Sequence, residues 1–346
     1  MGDAATMLWG VFGLVLVVAA ALSAGLILAL RPYLARYAMA HPNARSSHKL
    51  PTPQGGGIAV VAAAMASLWL GVWLAQPNFA GDTGQLLAFS AAAMMLALVG
   101  TVDDIRGLGP APRLLMQVLA VGIVIAALPG DFSVVPQLPR TIERALLLLG
   151  GVWFVNLVNF MDGIDWMTVA ETVPITAGVA LLGLTGAVPP SASLVALALL
   201  GAIIGFAPFN RPVARLFLGD VGSLPVGLML GWILLLLAGR GHLVAALLLP
   251  LYYLADATLT LARRIARREA VWQAHRMHFY QRATDNGFSV SRVVGEVFAL
   301  NILLAALAIG SAMTSSTAIA ILLFIIGGIA TALLMYRFSC RQPSAV

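Results

Sequence analysis

Fourteen acidic residues in a chain of 346 are few, and they cluster. Asp103 and Asp104 are adjacent in Gly100-Thr101-Val102-Asp103-Asp104-Ile105-Arg106, at the end of an apolar run and ahead of the turn formers Gly107, Gly109, Pro110 and Pro112. Neighbouring carboxylates repel unless a cation lies between or near them, so the pair either awaits a metal ion or is matched by Arg106 and Arg113. The stretch Asn156-Leu157-Val158-Asn159-Phe160-Met161-Asp162-Gly163-Ile164-Asp165 reads as a loop with two amides, two acids and no basic residue. If helical geometry persists, Asn156, Asn159 and Asp162 share one face, and Gly163 lets the backbone turn toward a ligand. Oxygen donors with no protein cation among them invite a hard metal ion. Capping the next helix would need only one of them, and Asp165 is placed for it. Phe217-Leu218-Gly219-Asp220-Val221-Gly222-Ser223 sets a further carboxylate at a helix start, downstream of Arg211 and Arg215. That arrangement suits a metal-bridged phosphate as well as simple capping.

Cationic groups accompany these acids. In His48-Lys49-Leu50-Pro51-Thr52-Pro53-Gln54-Gly55-Gly56-Gly57, Lys49 and Thr52 can donate to an anion. The three glycines either admit a ligand close to the backbone or let a helix pack tightly. No GK[ST] follows them, so this is not a nucleotide-binding P-loop. Arg263-Arg264-Ile265-Ala266-Arg267-Arg268 reads as an anchor at anionic headgroups, whereas Ala274-His275-Arg276-Met277-His278-Phe279-Tyr280-Gln281-Arg282 is a dense set of anion donors. Asp256 lies about 10 Å inside the helix that ends at these arginines, and reads as the only acid well within a helix. It requires a partner: His275, His278, an arginine of the same site, or a purely structural bond between helices. Carboxylates cannot bind phosphates directly, so acids and cations gathered on one side predict a divalent ion bridging them to a phosphorylated compound.

The elements that must position these groups are membrane helices. The chain is 60% hydrophobic and 10% charged, with a mean hydropathy of +0.95, against about 45–50% apolar and about 25% charged for soluble domains. Apolar runs predict eleven transmembrane helices near 7–30, 57–76, 85–102, 113–129, 143–158, 167–187, 190–207, 222–238, 243–264, 293–311 and 316–336, a single polytopic domain over 1–346. The first run has no basic residue before it and is too long for a signal-peptide core. Of the 20 basic residues, 17 fall on the face carrying the C-terminal tail, which the positive-inside rule makes cytoplasmic with the N-terminus outside. All but one of the 20 are arginine, a bias that fits planar phosphate recognition and a GC-rich genome equally. The lone Cys340 excludes an intrachain disulfide, and no Cys/His cluster suggests zinc. A transporter is the rival class, but carriers hold substrate near the bilayer midplane, whereas these polar residues crowd one face.

Taken together, HKxPTPxGGG, DD, NxxNxxDGxD, FxGDxGS and a His-Arg-rich last loop, in that order over nearly the whole chain, resemble the polyprenyl-phosphate N-acetylhexosamine-1-phosphate transferases (glycosyltransferase family 4). That superfamily includes the phospho-N-acetylmuramoyl-pentapeptide transferases. SSHKLPTP and HRMHFYQR look like the bacterial subgroup that initiates O-antigen or related surface glycans. The resemblance implies a multi-pass enzyme of the bacterial inner membrane. Such an enzyme transfers a sugar 1-phosphate of the FucNAc, QuiNAc or GlcNAc type from its UDP-sugar to undecaprenyl phosphate, releasing UMP, with Mg²⁺ or Mn²⁺ required. It implies that Asn159 and Asp220 hold the metal, that Phe217 stacks on uracil and that Asp165 hydrogen-bonds it. Asp103 and Asp104 would lie beside the lipid phosphate with Lys49 and Arg113 as counter-charges, and Asp162 would complete the acidic core. His275, Arg276 and His278 would contact sugar or diphosphate. Partners are then the UDP-N-acetylhexosamine, the lipid acceptor and the bilayer, with no nucleic acid and a homodimer left open. Members of the family often carry glycine where this chain has Trp166. A phosphate monoester has its second pKa near 6, so the acceptor is already largely dianionic. Direct single displacement is therefore expected, with Asp103 orienting the acceptor or assisting as base.

Overall fold

The computed structural model describes residues 3–40, 51–270 and 276–342; Lys49 and His275 lie outside them. The protein is an all-α integral membrane bundle. Its helices are α1 (Asp3–Tyr37), α2 (Gly56–Leu74), α3 (Thr83–Arg106), α4 (Pro110–Ala126), α5 (Arg140–Met161), α6 (Met167–Leu184), α7 (Pro190–Phe206), α8 (Asp220–Gly239), α9 (Leu243–Leu248), α10 (Leu251–Ala266), α11 (Phe279–Asp285), α12 (Val290–Met313) and α13 (Thr317–Ser339). The extended pair β1 (Met39–Ala40) and β2 (Thr52–Pro53) is antiparallel, Met39 opposite Pro53.

Among the described residues eight helices are long and apolar enough to cross a bilayer, and α4 and α7 are shorter apolar helices. The predicted continuous helix over 243–264 does not form. It divides into α9 and α10 at Leu249-Pro250, because proline has no N–H to donate and its ring crowds the carbonyl four residues back. Helix α5 runs on to Met161, so Asn156 and Asn159 sit in its last turns and not in a loop. Asp256 is not the only acid deep in a helix: Glu171, one turn into α6, is fully buried and accepts from Asn301 Nδ2 of α12 at 2.6 Å.

Helix α8 is the axis. Of its most apolar 18 residues 89% are buried, against 17% for α13, as expected of a helix apolar on all sides and of one facing lipid. It packs on α2, α3, α5, α6 and α7. Small residues let these backbones meet. A Cβ at Gly57 would collide with the Gly222 backbone, and one at Gly100 with the Asp220 carbonyl. Close helix packing therefore accounts for Gly57, and it draws the C-terminal end of α3 onto the start of α8.

Candidate active site

The ends of α3 and α5 and the starts of α4 and α8 meet at one end of the bundle, and they divide the two adjacent aspartates. Successive helical residues point about 100° apart. Asp104 turns to α8, where Oδ1 accepts the Asp220 N–H at 3.0 Å and Oδ2 the Val221 N–H at 3.1 Å. It thus satisfies two of the orphan donors of that helix terminus. Asp103 turns to α4: its Oδ1 accepts the Leu108 N–H at 2.6 Å and its Oδ2 the Arg113 Nη1–H at 2.8 Å. Gln54 Nε2 donates to the Asp104 carbonyl at 2.9 Å, tying the loop before α2 to the same spot.

Arg113 is the hub. Its Nη1 also donates to Asp220 Oδ2 at 3.1 Å, and its Nη2 to Asn159 Oδ1 at 3.4 Å. Asn159 Nδ2 in turn donates to Asp220 Oδ1 and to Ser223 Oγ, both at 2.8 Å. Three oxygens from α3, α5 and α8 therefore face one guanidinium. Among the described residues no group of three His, Cys, Asp or Glu side chains is arranged to hold a metal ion by itself. Magnesium sites that share their ion with substrate phosphates need only one or two carboxylates, so this donor set fits such an ion.

The NxxNxxDGxD stretch does not act as one ligand set. Asn156 Nδ2 donates to Gln117 Oε1 of α4 at 2.6 Å and to the Val152 carbonyl, so it joins helices. Asp162 leaves the helix as its C-cap and accepts the Thr168 hydroxyl at 2.5 Å. Burial, reinforced by Asp220, Asp104 and Asp165, pushes its carboxyl up to about 7. Asp165 does not precede α6 as its cap; Trp166 does, at φ 64. Asp165 is buried and its Oδ2 accepts the Ala214 N–H at 2.9 Å. Trp166 occupies a left-handed conformation that costs a non-glycine residue about 1–2 kcal/mol. It is held there by its N–H on Asn210 Oδ1 at 2.7 Å and its indole N–H on the Ala207 carbonyl at 2.6 Å. The 207–219 loop carrying Phe217 is thereby fastened to the Asp162–Asp165 turn. The Phe217 N–H donates to the Pro53 carbonyl, next to the buried Thr52.

The histidine segment docks on this turn through Tyr280, whose hydroxyl donates to the Phe160 carbonyl at 3.1 Å. That hydroxyl also fills the space a Cβ at Gly163 would take. His278 is buried, stacked on Tyr280, and its Nδ1 is 3.1 Å from Asp256 Oδ1. Asp256 thus has His278 as partner, one of those expected. Arg276 pairs with Asp285 at 3.2 Å. Sequence reasoning missed Tyr280, Gln54, Ser223 and Gln117. The first of these stands in the HRMHFYQR motif, and the others carry no charge to single them out.

Two outcomes follow from these contacts. Asp104→Ala leaves two N–H groups of α8 without an acceptor, a cap loss of about 1–2 kcal/mol. Thermal unfolding in detergent should therefore drop by a few degrees, with Asp104→Asn intermediate and Asp103→Asn close to wild type; equal loss in both alanine and asparagine variants of Asp103 would contradict the division of roles. For Asp162, a native carboxyl at about 7 binds a proton that the unfolded chain has already lost. Stability therefore falls as pH rises from the ordinary carboxylate range through about 7 and levels off above it. In chelator, Asp162→Asn should melt higher than wild type at pH about 8, with the difference closing toward pH about 5. A constant difference would refute the displaced ionisation.

Hard oxygen donors and a guanidinium thus gather at one end of an integral membrane bundle. Residues 86–238, spanning every site residue named above from Asp103 to Asp220, match the model described as glycosyl transferase family 4. Similar proteins include a decaprenyl-phosphate N-acetylglucosaminephosphotransferase of Mycobacterium leprae, 28% identical over 74% of this chain and 72% of that protein. A probable undecaprenyl-phosphate N-acetylglucosaminyl 1-phosphate transferase of Bacillus subtilis is 26% identical over 76% of each. A phospho-N-acetylmuramoyl-pentapeptide-transferase of Limosilactobacillus fermentum is 30% identical over 63% of this chain and 69% of that protein. The chain belongs to glycosyl transferase family 4.

Proposed function

We propose that the protein transfers an N-acetylhexosamine 1-phosphate from a UDP-sugar to undecaprenyl phosphate. The observation that carries this reading is the convergence of Asp103, Asn159 and Asp220 oxygens on Arg113 at the head of an apolar groove. The groove, about 310 Å³, opens between α4, α5, α8 and the α9–α10 break. Its residues Val155 and Gly151 lie one and two turns before Asn159 on α5, and Gly227 and Gly231 one and two turns beyond Ser223 on α8. An isoprenoid chain lying along that seam would bring its phosphate to the Asn159–Ser223 bond. The names of the similar proteins, polyprenyl-phosphate transferases of N-acetylglucosamine phosphate and a muramoyl-pentapeptide enzyme, support the same substrate class.

Asp220 and Asn159 would hold Mg²⁺ or Mn²⁺, which when bound offsets the charge of the sugar-nucleotide diphosphate. Arg113 then exchanges its carboxylate partners for the acceptor phosphate, the bidentate geometry a guanidinium favours. Asp103 orients that acceptor or assists as base, and Asp104 holds α8 and hence Asp220 in place. An acceptor oxygen forms a bond to the β-phosphorus, the bond from that phosphorus to the bridging oxygen breaks, and UMP leaves with the bridging oxygen. Asp165 and Phe217, fastened to one loop, serve the uracil; Arg276, His275 and His278 serve the sugar or diphosphate, with Lys49 and Thr52 at the lipid phosphate. The acidic end of the bundle faces the cytoplasm of a bacterial inner membrane, and the product initiates O-antigen or a related surface glycan, with a FucNAc, QuiNAc or GlcNAc donor.

The test presents purified protein, undecaprenyl phosphate and Mg²⁺ with UDP-GlcNAc, UDP-FucNAc and UDP-QuiNAc and measures UMP. Lipid-dependent release with at least one donor, abolished by chelator, is expected. Full-speed coupling in chelator would remove the metal from the reading. Isolation of a sugar-phosphoryl-aspartate in the absence of lipid would replace single displacement by a covalent route.

A further inference from the structure

We infer that a second lipid site, separate from the acceptor groove, binds the phosphate headgroup of an anionic glycerophospholipid between α10, α11 and α13. A cavity of about 590 Å³ opens there, lined by Arg263, Arg267 and Arg282 and, among the described residues, by no acidic residue. Phe279 stands between two of the arginines, with the Arg263 guanidinium 4.6 Å and that of Arg282 5.8 Å from its ring centre. The acids nearest in sequence are committed elsewhere, Glu269 to Arg264 and Asp285 to Arg276. Three guanidiniums around one cavity repel each other, and a phosphate ester supplies the missing charge with the acceptor oxygens their fork geometry favours.

The walls select a lipid over a free phosphate. The cavity is also lined by Leu259, Met335 and Tyr336. Tyr336 is 71% exposed, and the exposed row continues through Leu333 and Ile329 along α13, the helix with the largest lipid-facing share. Acyl chains can lie on that row while the headgroup reaches the arginines. Basic pockets between membrane helices are the usual receptors for such headgroups. The arginine run that reads in sequence as a surface anchor thus forms, with Arg282 and α13, a bounded site. It also touches the His278 support: Thr260 lines the cavity and donates to Asp256 Oδ1, and the Phe279 N–H donates to the same oxygen. An occupied site braces α11.

Native mass spectrometry of the purified protein with phosphatidylglycerol, phosphatidylcholine or undecaprenyl phosphate tests this, with hydrogen exchange of residues 279–285 as second readout. Wild type should retain phosphatidylglycerol over phosphatidylcholine, and its α11 amides should exchange more slowly when it does. The variant R263Q/R267Q/R282Q should bind it about a hundredfold more weakly, at about a fivefold loss per basic residue. The lysine triple variant, which keeps the charge, should retain most of the binding, as should Arg240→Gln on another loop. Equal retention by the glutamine triple variant, equal retention of phosphatidylcholine, displacement by millimolar inorganic phosphate, or loss of undecaprenyl phosphate in place of phosphatidylglycerol would each overturn the assignment. The proposed transferase reaction is read separately by UMP release and can fail or stand independently.

Discussion

Asp220→Asn is expected to lower turnover by about 10³-fold or more while leaving the protein folded. The side chain makes no contribution to the cap of α8, which uses the Asp220 backbone N–H, so its loss should not loosen the helix. What disappears is one of two carboxylates that face the same guanidinium. Asparagine keeps the shape and can still meet Asn159 and Arg113, but it brings no net charge to two polyanionic substrates and an intervening dication. The loss should therefore fall on kcat, accompanied by a higher Mg²⁺ concentration for half-saturation, with a melting temperature within a degree or two of wild type (roughly 0.5 kcal/mol or less). Turnover within a few-fold of wild type would remove Asp220 from the metal site. A large fall in melting temperature would instead make it a structural residue.

The acids were visible in the sequence because a charge in so apolar a chain is costly and must have a reason. Their order along the chain, at the ends of apolar runs that the sequence assigns to one face, sufficed to place Asp103, Asp104, Asn159 and Asp220 in one neighbourhood. How they divide the work was not legible. Asp103 and Asp104 differ only in the azimuth of one residue step, and which of them faces α8 depends on the α3–α8 crossing at Gly100. Asn156 repeats the spacing of Asn159 but meets a glutamine from α4, and an uncharged Gln117 gives no advance notice of itself. Arg113 reads in sequence as one of several counter-charges; only the tertiary arrangement makes it the group on which three helices close. The break at Pro250 was obscured because apolar runs in membranes tolerate proline, so hydropathy alone joined α9 to α10. Trp166 shows the opposite failure: a bulky residue at φ 64 contradicts local preference and is sustained by two hydrogen bonds from a loop some forty residues away.

Asp256→Ala should be the most destabilising single change among the polar residues described, about 3–5 kcal/mol, because it removes one member of a buried charged network and strands the rest. The carboxylate has no exposure. Its Oδ1 accepts the Phe279 N–H at 3.0 Å and the Thr260 hydroxyl at 3.3 Å, with His278 Nδ1 at 3.1 Å; its Oδ2 accepts the Tyr280 N–H and the Tyr252 hydroxyl, both at 3.2 Å. A carboxylate has no proton to give, so the proton of that imidazole bond resides on Nδ1, and the tautomer of His278 is set by Asp256. The same carboxylate caps α11, a helix too short to persist on its own, and α11 carries Tyr280 to the Asp162–Asp165 turn. Losing Asp256 therefore releases His278, the start of α11 and the Tyr280–Phe160 bond together. Asp256→Asn discriminates among these effects, since its amide oxygen can still accept from backbone but its NH₂ now confronts donors. It should retain more stability than alanine yet lose turnover by about 10²-fold, and imidazole-proton NMR shifts at His278 should move in Asp256→Asn while those of the distant His242 do not. A variant that melts lower but transfers sugar phosphate at the wild-type rate per folded molecule would confine Asp256 to structural support and take His278 out of the substrate site.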